Sequence, residues 1–124
     1  RRYKYKNLQF HIGDALDCAL PGPFKTIILS NVLEHIEERK EFLQRLRLIY
    51  NPSYVLIRVP NFERDWRVPL KRELGVEFRL DPTHEIEHIP RTLQEELESA
   101  EFVIKTMELR GGEIWVVAEV CNRK

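Results

Sequence analysis

Four histidines stand in this 124-residue sequence, at positions 11, 35, 84 and 88, and two of them share one motif. His84-Glu85-Ile86-Glu87-His88 matches H-E-x-x-H, in which two imidazoles hold a zinc ion and the glutamate activates its water for peptide hydrolysis. That chemistry needs both histidines on one face of a stable helix, one turn apart. Pro82 and Pro90 bracket the motif and leave little room for such a helix. No third ligand follows at the spacing that long zinc-protease motifs use. A zinc metalloprotease is therefore the least favoured functional reading. Glu34-His35 is a second acid–imidazole pair, while His11 lies inside an alternating run and is expected to pack.

These groups need elements to position them, and the periodicity supplies a set. Leu8-Gln9-Phe10-His11-Ile12 alternates like a short strand ending at Gly13-Asp14. Pro21-Gly22-Pro23 marks a loop, and Thr26-Ile27-Ile28-Leu29 reads as a strand buried on both faces, as in a parallel sheet. From Glu37 to Tyr50 the period becomes helical, with Phe42, Leu43, Leu46, Ile49 and Tyr50 on one face, until Asn51-Pro52 stops it. Tyr54 to Val59 is another buried-type strand, closed by Pro60-Asn61, so the three elements form a βαβ unit.

Residues 61–89 form a long insertion with a short helix expected around Leu70 to Leu74; stretches of this length usually carry function. Trp66 lies in it, to cover a substrate or simply to pack. Thr92 and Glu95 read as a capping box, and Leu93, Leu97 and Ala100 give the apolar stripe of the helix that follows. Phe102 to Leu109 and Glu113 to Cys121 are two strands joined at Gly111-Gly112, whose freedom to take positive φ suits a tight hairpin. Trp115, on the last strand, is expected in the core.

Composition sets the outer limits. With 20 basic and 20 acidic residues the net charge is zero, which disfavours a nucleic-acid binder. The basic opening Arg1-Arg2-Tyr3-Lys4-Tyr5-Lys6 is short and reads as a solvated lead-in. No apolar run is long enough to span a bilayer, so no membrane partner is expected. Cys18 and Cys121 read as reduced thiols of a cytoplasmic protein. One domain covers residues 1–124.

A parallel sheet whose last two strands form a hairpin resembles the C-terminal half of class I S-adenosylmethionine-dependent methyltransferases. His11-Ile12-Gly13-Asp14-Ala15 resembles the end of that family's third strand, and Phe24 to Ile36, with Asn31-Val32-Leu33-Glu34-His35, its fourth strand and the turn after it. Leu56 to Asn61 resembles the fifth strand and its exit; Asp81-Pro82-Thr83-His84 resembles the approach to the last helix. The resemblance runs in order over nearly the whole chain. It implies an α/β, Rossmann-like methyltransferase fold, mostly parallel and ending in an antiparallel β-hairpin, with the N-terminal strands missing.

By the same resemblance the cofactor is S-adenosyl-L-methionine, met by Asp14 and Ala15 near the adenine and by Ser30 and Asn31 beneath the sulfonium. Each follows a predicted strand end, where open α/β sheets bind ligands. The acceptor would be a small molecule, sugar or lipid, contacted by Arg58, Asn61, Arg64 and Trp66, with His84 and His35 as the catalytic candidates. No metal is assigned. Related methyltransferases that use a divalent cation carry E-x-x-E-H after the fourth strand and a distant histidine. Glu34 and His35 match its second half, His84 or His88 would be the partner, and Asn31 replaces the first glutamate.

Two departures qualify the resemblance. The glycine-rich loop after the family's first strand and the ribose-binding acid after the second are absent, so an upstream half, on this chain or another, is expected to complete the sheet. Without it Thr26–Ser30 becomes an exposed apolar edge, and the fragment alone is expected to be inactive. Glu101 also stands where the family often has a helix-ending glycine. The alternative to an enzyme is a non-catalytic methyltransferase-like binding module.

Overall fold

The computed structural model describes residues 6–121; residues 1–5 of the basic lead-in lie outside it. Four strands form one sheet, β1 (Thr26–Ser30), β2 (Tyr54–Pro60), β3 (Phe102–Arg110) and β4 (Glu113–Val120), in the order β1-β2-β4-β3. β1 and β2 run parallel, with Thr26 opposite Tyr54 and Ser30 opposite Arg58. β4 lies antiparallel to both β2 and β3. Among the described residues there are three α-helices, α1 (Arg39–Tyr50), α2 (Arg67–Glu73) and α3 (Pro90–Ser99), and short 3-10 turns at Leu33–His35 and Phe62–Arg64.

The apolar stripes decide how these parts stack. Leu43 and Leu46 of α1 and Leu93 and Leu97 of α3 are buried in one cluster with Val55, Ile57 and Val59 of β2 and Ile114, Val116 and Ala118 of β4. Both helices therefore cover the same face of the sheet. Ile49, expected on the inner face of α1, is 47% exposed. α1 ends where Asn51 turns left-handed at φ 41° and its N–H caps Arg47 O at 2.8 Å.

Among the described residues, no helix covers the other face. Ser30, Arg58, Trp115 and Glu108 are successive cross-strand partners along one row of it. Trp115 is thus not a core residue: it lies on this open face, 37% exposed, with the Arg58 and Arg110 guanidinium groups 5.3 and 5.8 Å from its ring centroid. β1 is not buried on both faces either, since Ile28 is 68% exposed. The predicted strand at residues 8–12 does not form: no described strand lies beside it, an unpaired strand has no ladder to stabilise it, and Phe10, His11 and Ile12 are exposed.

The Arg110-Gly111-Gly112-Glu113 hairpin forms as expected, with φ 57° and 80° at its glycines. Thr92 is not an N-cap, because Pro90 takes the first helical position that its fixed φ favours. Thr92 sits further in, and its hydroxyl accepts from the Ile89 N–H at 3.1 Å. Glu101, where the family often has glycine, adopts φ 66° after α3. That left-handed conformation strains a residue with a Cβ.

Candidate functional site

At the carboxyl end of β1 the chain turns sharply. Asn31 adopts φ 54° and donates its N–H to Arg58 O at 2.9 Å, tying the exit of β1 to β2. A short 3-10 turn over Leu33–His35 follows. Leu33 is buried in the core, which pulls the adjacent Glu34 out of water while His35 stays exposed.

The loop preceding α3 closes over this turn. Glu34 O accepts the Glu85 N–H at 2.7 Å and the Ile86 N–H at 3.4 Å, so the turn after β1 is tied to the chain just beyond Asp81-Pro82-Thr83-His84. His84 is buried, and its ring stands edge-on to His35 with centroids 4.7 Å apart. Glu34, His35 and His84 each offer one ligand atom, all within 4.8 Å of one another. Both carboxylate oxygens of Glu34 are buried without a hydrogen-bond partner among the described residues. A buried unpaired carboxylate is strongly disfavoured unless a cation or proton joins it.

The orienting partners decide which imidazole nitrogens face the cluster. Thr83 Oγ1 donates to Asp81 Oδ1 at 2.6 Å, so its oxygen is free to accept from His35 Nδ1 at 3.0 Å. The Thr83 hydroxyl, with the Thr83 N–H, holds the Asp81 carboxyl below its ordinary range. His84 Nδ1 lies 2.7 Å from Glu87 Oε1, and a carboxylate there requires the ring to donate. Each Nδ1 is thereby engaged, and each Nε2 keeps a lone pair. Two imidazoles with one carboxylate suit first-row ions such as Mn²⁺, Fe²⁺ or Zn²⁺, with positions left open for another ligand.

His88 does not join this group. It is fully buried, and its Nε2 donates to Glu96 Oε2 at 2.9 Å, while Arg39 Nε donates to Glu96 Oε1 at 2.6 Å. Burial by itself would raise the Glu96 carboxyl, but the bonds from His88 and Arg39 outweigh it and hold the group below its ordinary range. His88 is a brace between α1, α3 and the preceding loop. The H-E-x-x-H segment is not helical, since α3 starts only at Pro90, so the two histidines have no common helix face.

The remaining candidates separate. Asp14, Ala15, Phe24, Ile27, Val32 and Tyr50 are among the residues lining an apolar groove of about 600 Å³ beside β1 and α1. Within it Asp14 Oδ1 accepts from the Leu16 N–H at 2.8 Å. Ser30 and Arg58 line the open sheet face instead. Asn61 is buried and accepts from the Glu63 N–H at 3.2 Å, and Arg64 reaches Glu87 at 3.2 Å; both are internal braces. Trp66 is 73% exposed. Sequence reasoning missed Glu87, Thr83 and Asp81 as orienting residues. Their only signal was proximity to His84.

No family model matches the sequence, and no curated protein matches it. Solved structures do share its fold. A small RNA methyltransferase superposes with a TM-score of 0.63 at 13% identity, over 78% of this chain and 14% of that one. An O-methyltransferase from neocarzinostatin biosynthesis, in complex with S-adenosyl-L-homocysteine and 1,4-dihydroxy-2-naphthoic acid, gives 0.62 at 16% identity, over 88% and 33%. Magnesium protoporphyrin IX methyltransferase from Synechocystis PCC 6803, with bound S-adenosyl-L-homocysteine, gives 0.55 at 18% identity, over 88% and 49%. The chain therefore has a class I methyltransferase-like fold and spans less than half the length of each of these proteins. Among the described residues, no helix is long and apolar enough to cross a membrane.

Proposed function

We propose that this chain supplies the acceptor-side half of an S-adenosylmethionine-dependent methyltransferase, in which Glu34, His35 and His84 hold a divalent cation beside a hydroxyl-bearing small-molecule acceptor. One observation carries the reading: the unpartnered, buried Glu34 carboxylate facing two imidazoles beyond the carboxyl end of β1, on a methyltransferase-type sheet. That is where open α/β sheets place their ligands. The ligands bound in the structural neighbours support the cofactor and a small aromatic acceptor. A balanced net charge argues against transferring the RNA acceptor of the first neighbour.

In the proposed reaction an acceptor oxygen attacks the sulfonium methyl carbon in line; the C–O bond forms as the C–S pair returns to sulfur, and the acceptor's proton passes to water. The protein's contribution is chiefly alignment. Ser30 and Asn31 would form the floor beneath the methyl group, and Asp14 and Ala15 one wall of the adenine site. Trp66, exposed on the insertion, is the remaining candidate to cover the acceptor. When bound, the cation would supply positive charge that favours loss of the acceptor proton. Glu34 would offset that charge, and the two histidines would fix its place. The glycine-rich cofactor loop would come from an upstream half on this chain or another.

A second reading rests on the Glu87–His84 contact: without a cation, His84 Nε2 is placed to act as general base. Calorimetry with S-adenosyl-L-homocysteine and Mn²⁺ on the protein with its upstream sequence, followed by methyl-transfer assays, separates these outcomes. Saturable binding of both, with Glu34→Ala losing Mn²⁺ but not S-adenosyl-L-homocysteine, is expected. Activity that survives chelation would make His84 the base. No nucleoside binding at all would sink the enzyme reading and leave a binding module.

A further inference from the structure

We infer that Glu87 is a positioning residue that holds His84 in a single tautomer, with its proton on Nδ1, so that Nε2 is presented to Glu34 and His35. The inference deepens the proposed site and rests on that reading only for its consequence on metal affinity. Its geometric basis is independent of any ion. The Glu87 side chain is 2% exposed, so water does not compete for its oxygens. Three donors converge on it. Leu80 N–H reaches Oε1 at 2.8 Å, Arg64 Nη1 reaches Oε2 at 3.2 Å, and His84 Nδ1 lies 2.7 Å from Oε1. A carboxylate beside a guanidinium accepts only, which forces the proton onto Nδ1.

The carboxylate is itself held from a separate direction. Arg64 Nη1 also donates to Asn61 O at 3.1 Å, just beyond the end of β2. Its stem lies against the hairpin turn, where a Cβ on Gly112 would come within 3.3 Å of Arg64 Cβ. The orientation of His84 is thus referred back to β2 and to the β3–β4 hairpin, through Arg64 and Glu87. A buried ion pair is weak evidence of stabilisation, because desolvation offsets much of the attraction. A metal-ligating or basic imidazole, by contrast, characteristically donates its second nitrogen to a carboxylate, and loss of that partner lowers metal affinity about 10–100-fold.

The test reads tautomers directly. Long-range ¹H–¹⁵N spectra of the intact, ion-free chain in alkaline buffer report which nitrogen of each imidazole carries the proton. Wild type should show His84 protonated on Nδ1 alone. In Glu87→Leu the Nε2-protonated form should appear. Glu87→Gln should keep the proton on Nδ1, because the Leu80 N–H holds the amide oxygen at the Oε1 position, where it still accepts from His84. His35, oriented by Thr83, should keep its own pattern and serve as the control within each spectrum. If wild type carries the His84 proton on Nε2, or if folded Glu87→Leu leaves His84 wholly protonated on Nδ1, the inference is overturned. Mn²⁺ titration then separates the two claims. A 10–100-fold weaker Kd in Glu87→Leu is expected, whereas absence of Mn²⁺ binding by wild type would remove the cation from the proposed function and leave the tautomer result to decide Glu87.

Discussion

Glu34 exposes 1% of its surface, and among the described residues neither oxygen of its carboxylate has a partner. A residue in that state lowers stability unless something joins it, since an unsatisfied buried polar group costs about 1–3 kcal/mol and a charged one more. Glu34→Met fills similar space without the charge. It should raise the thermal stability of the ion-free protein by about 1–3 kcal/mol while abolishing Mn²⁺ binding, as judged by melts with and without the ion. A variant that is less stable than wild type would mean that Glu34 has a structural partner after all. His88 shows the contrasting case. It belongs to the same sequence motif as His84, yet its Glu96 partner lies on α3 and consumes it in packing.

Between elements, the His88–Glu96–Arg39 contact joins α1, α3 and the loop between α2 and α3. Its pH dependence has a definite sign. The Glu96 carboxyl is depressed in the folded state: burial opposes its ionisation, but the His88 and Arg39 bonds more than compensate. Its contribution is therefore present above the ordinary glutamate value of about 4.3 and is lost as pH falls through the lower folded value. Thermal melts from neutral pH to about pH 3 should show wild type losing stability in that acid window. Glu96→Gln should start lower at neutral pH and show a flatter acid limb. Parallel curves would assign the acid loss to other carboxylates.

For the molecule as a whole, the open sheet face and the free edge of β1 dominate. Ile28 is 68% exposed on that edge strand, and Leu56 and Val117 of the neighbouring strands share its row. An apolar edge with unpaired backbone groups recruits further strands. The isolated 124-residue chain should therefore self-associate in a concentration-dependent way, and Ile28→Lys should reduce that association in sedimentation velocity. Equal sedimentation of both would show that the edge is protected.

Features that depend on neighbours close in the chain could be read from the residues alone. The periods of α1 and α3, the run that forms β2, the glycine pair of the hairpin and the stop at Asn51-Pro52 were all legible, because local sterics and amphipathicity write them into consecutive residues. So was the placement of Ser30, Asn31 and Asn61 at strand ends. Tertiary structure alone decided the rest. Whether residues 8–12 become a strand depends on a partner strand, and whether Trp115 is core depends on which face the helices cover. Glu34 and His35 are about 50 positions from His84, and the tertiary bonds from Glu85 to Glu34 and from Thr83 to His35 bring them within one cluster. Which of two histidines in one motif faces that cluster was settled by where Glu87 and Glu96 lie. Ligand geometry and burial are properties of space rather than of spacing along the chain, and that is why the sequence named the candidates but could not choose among them.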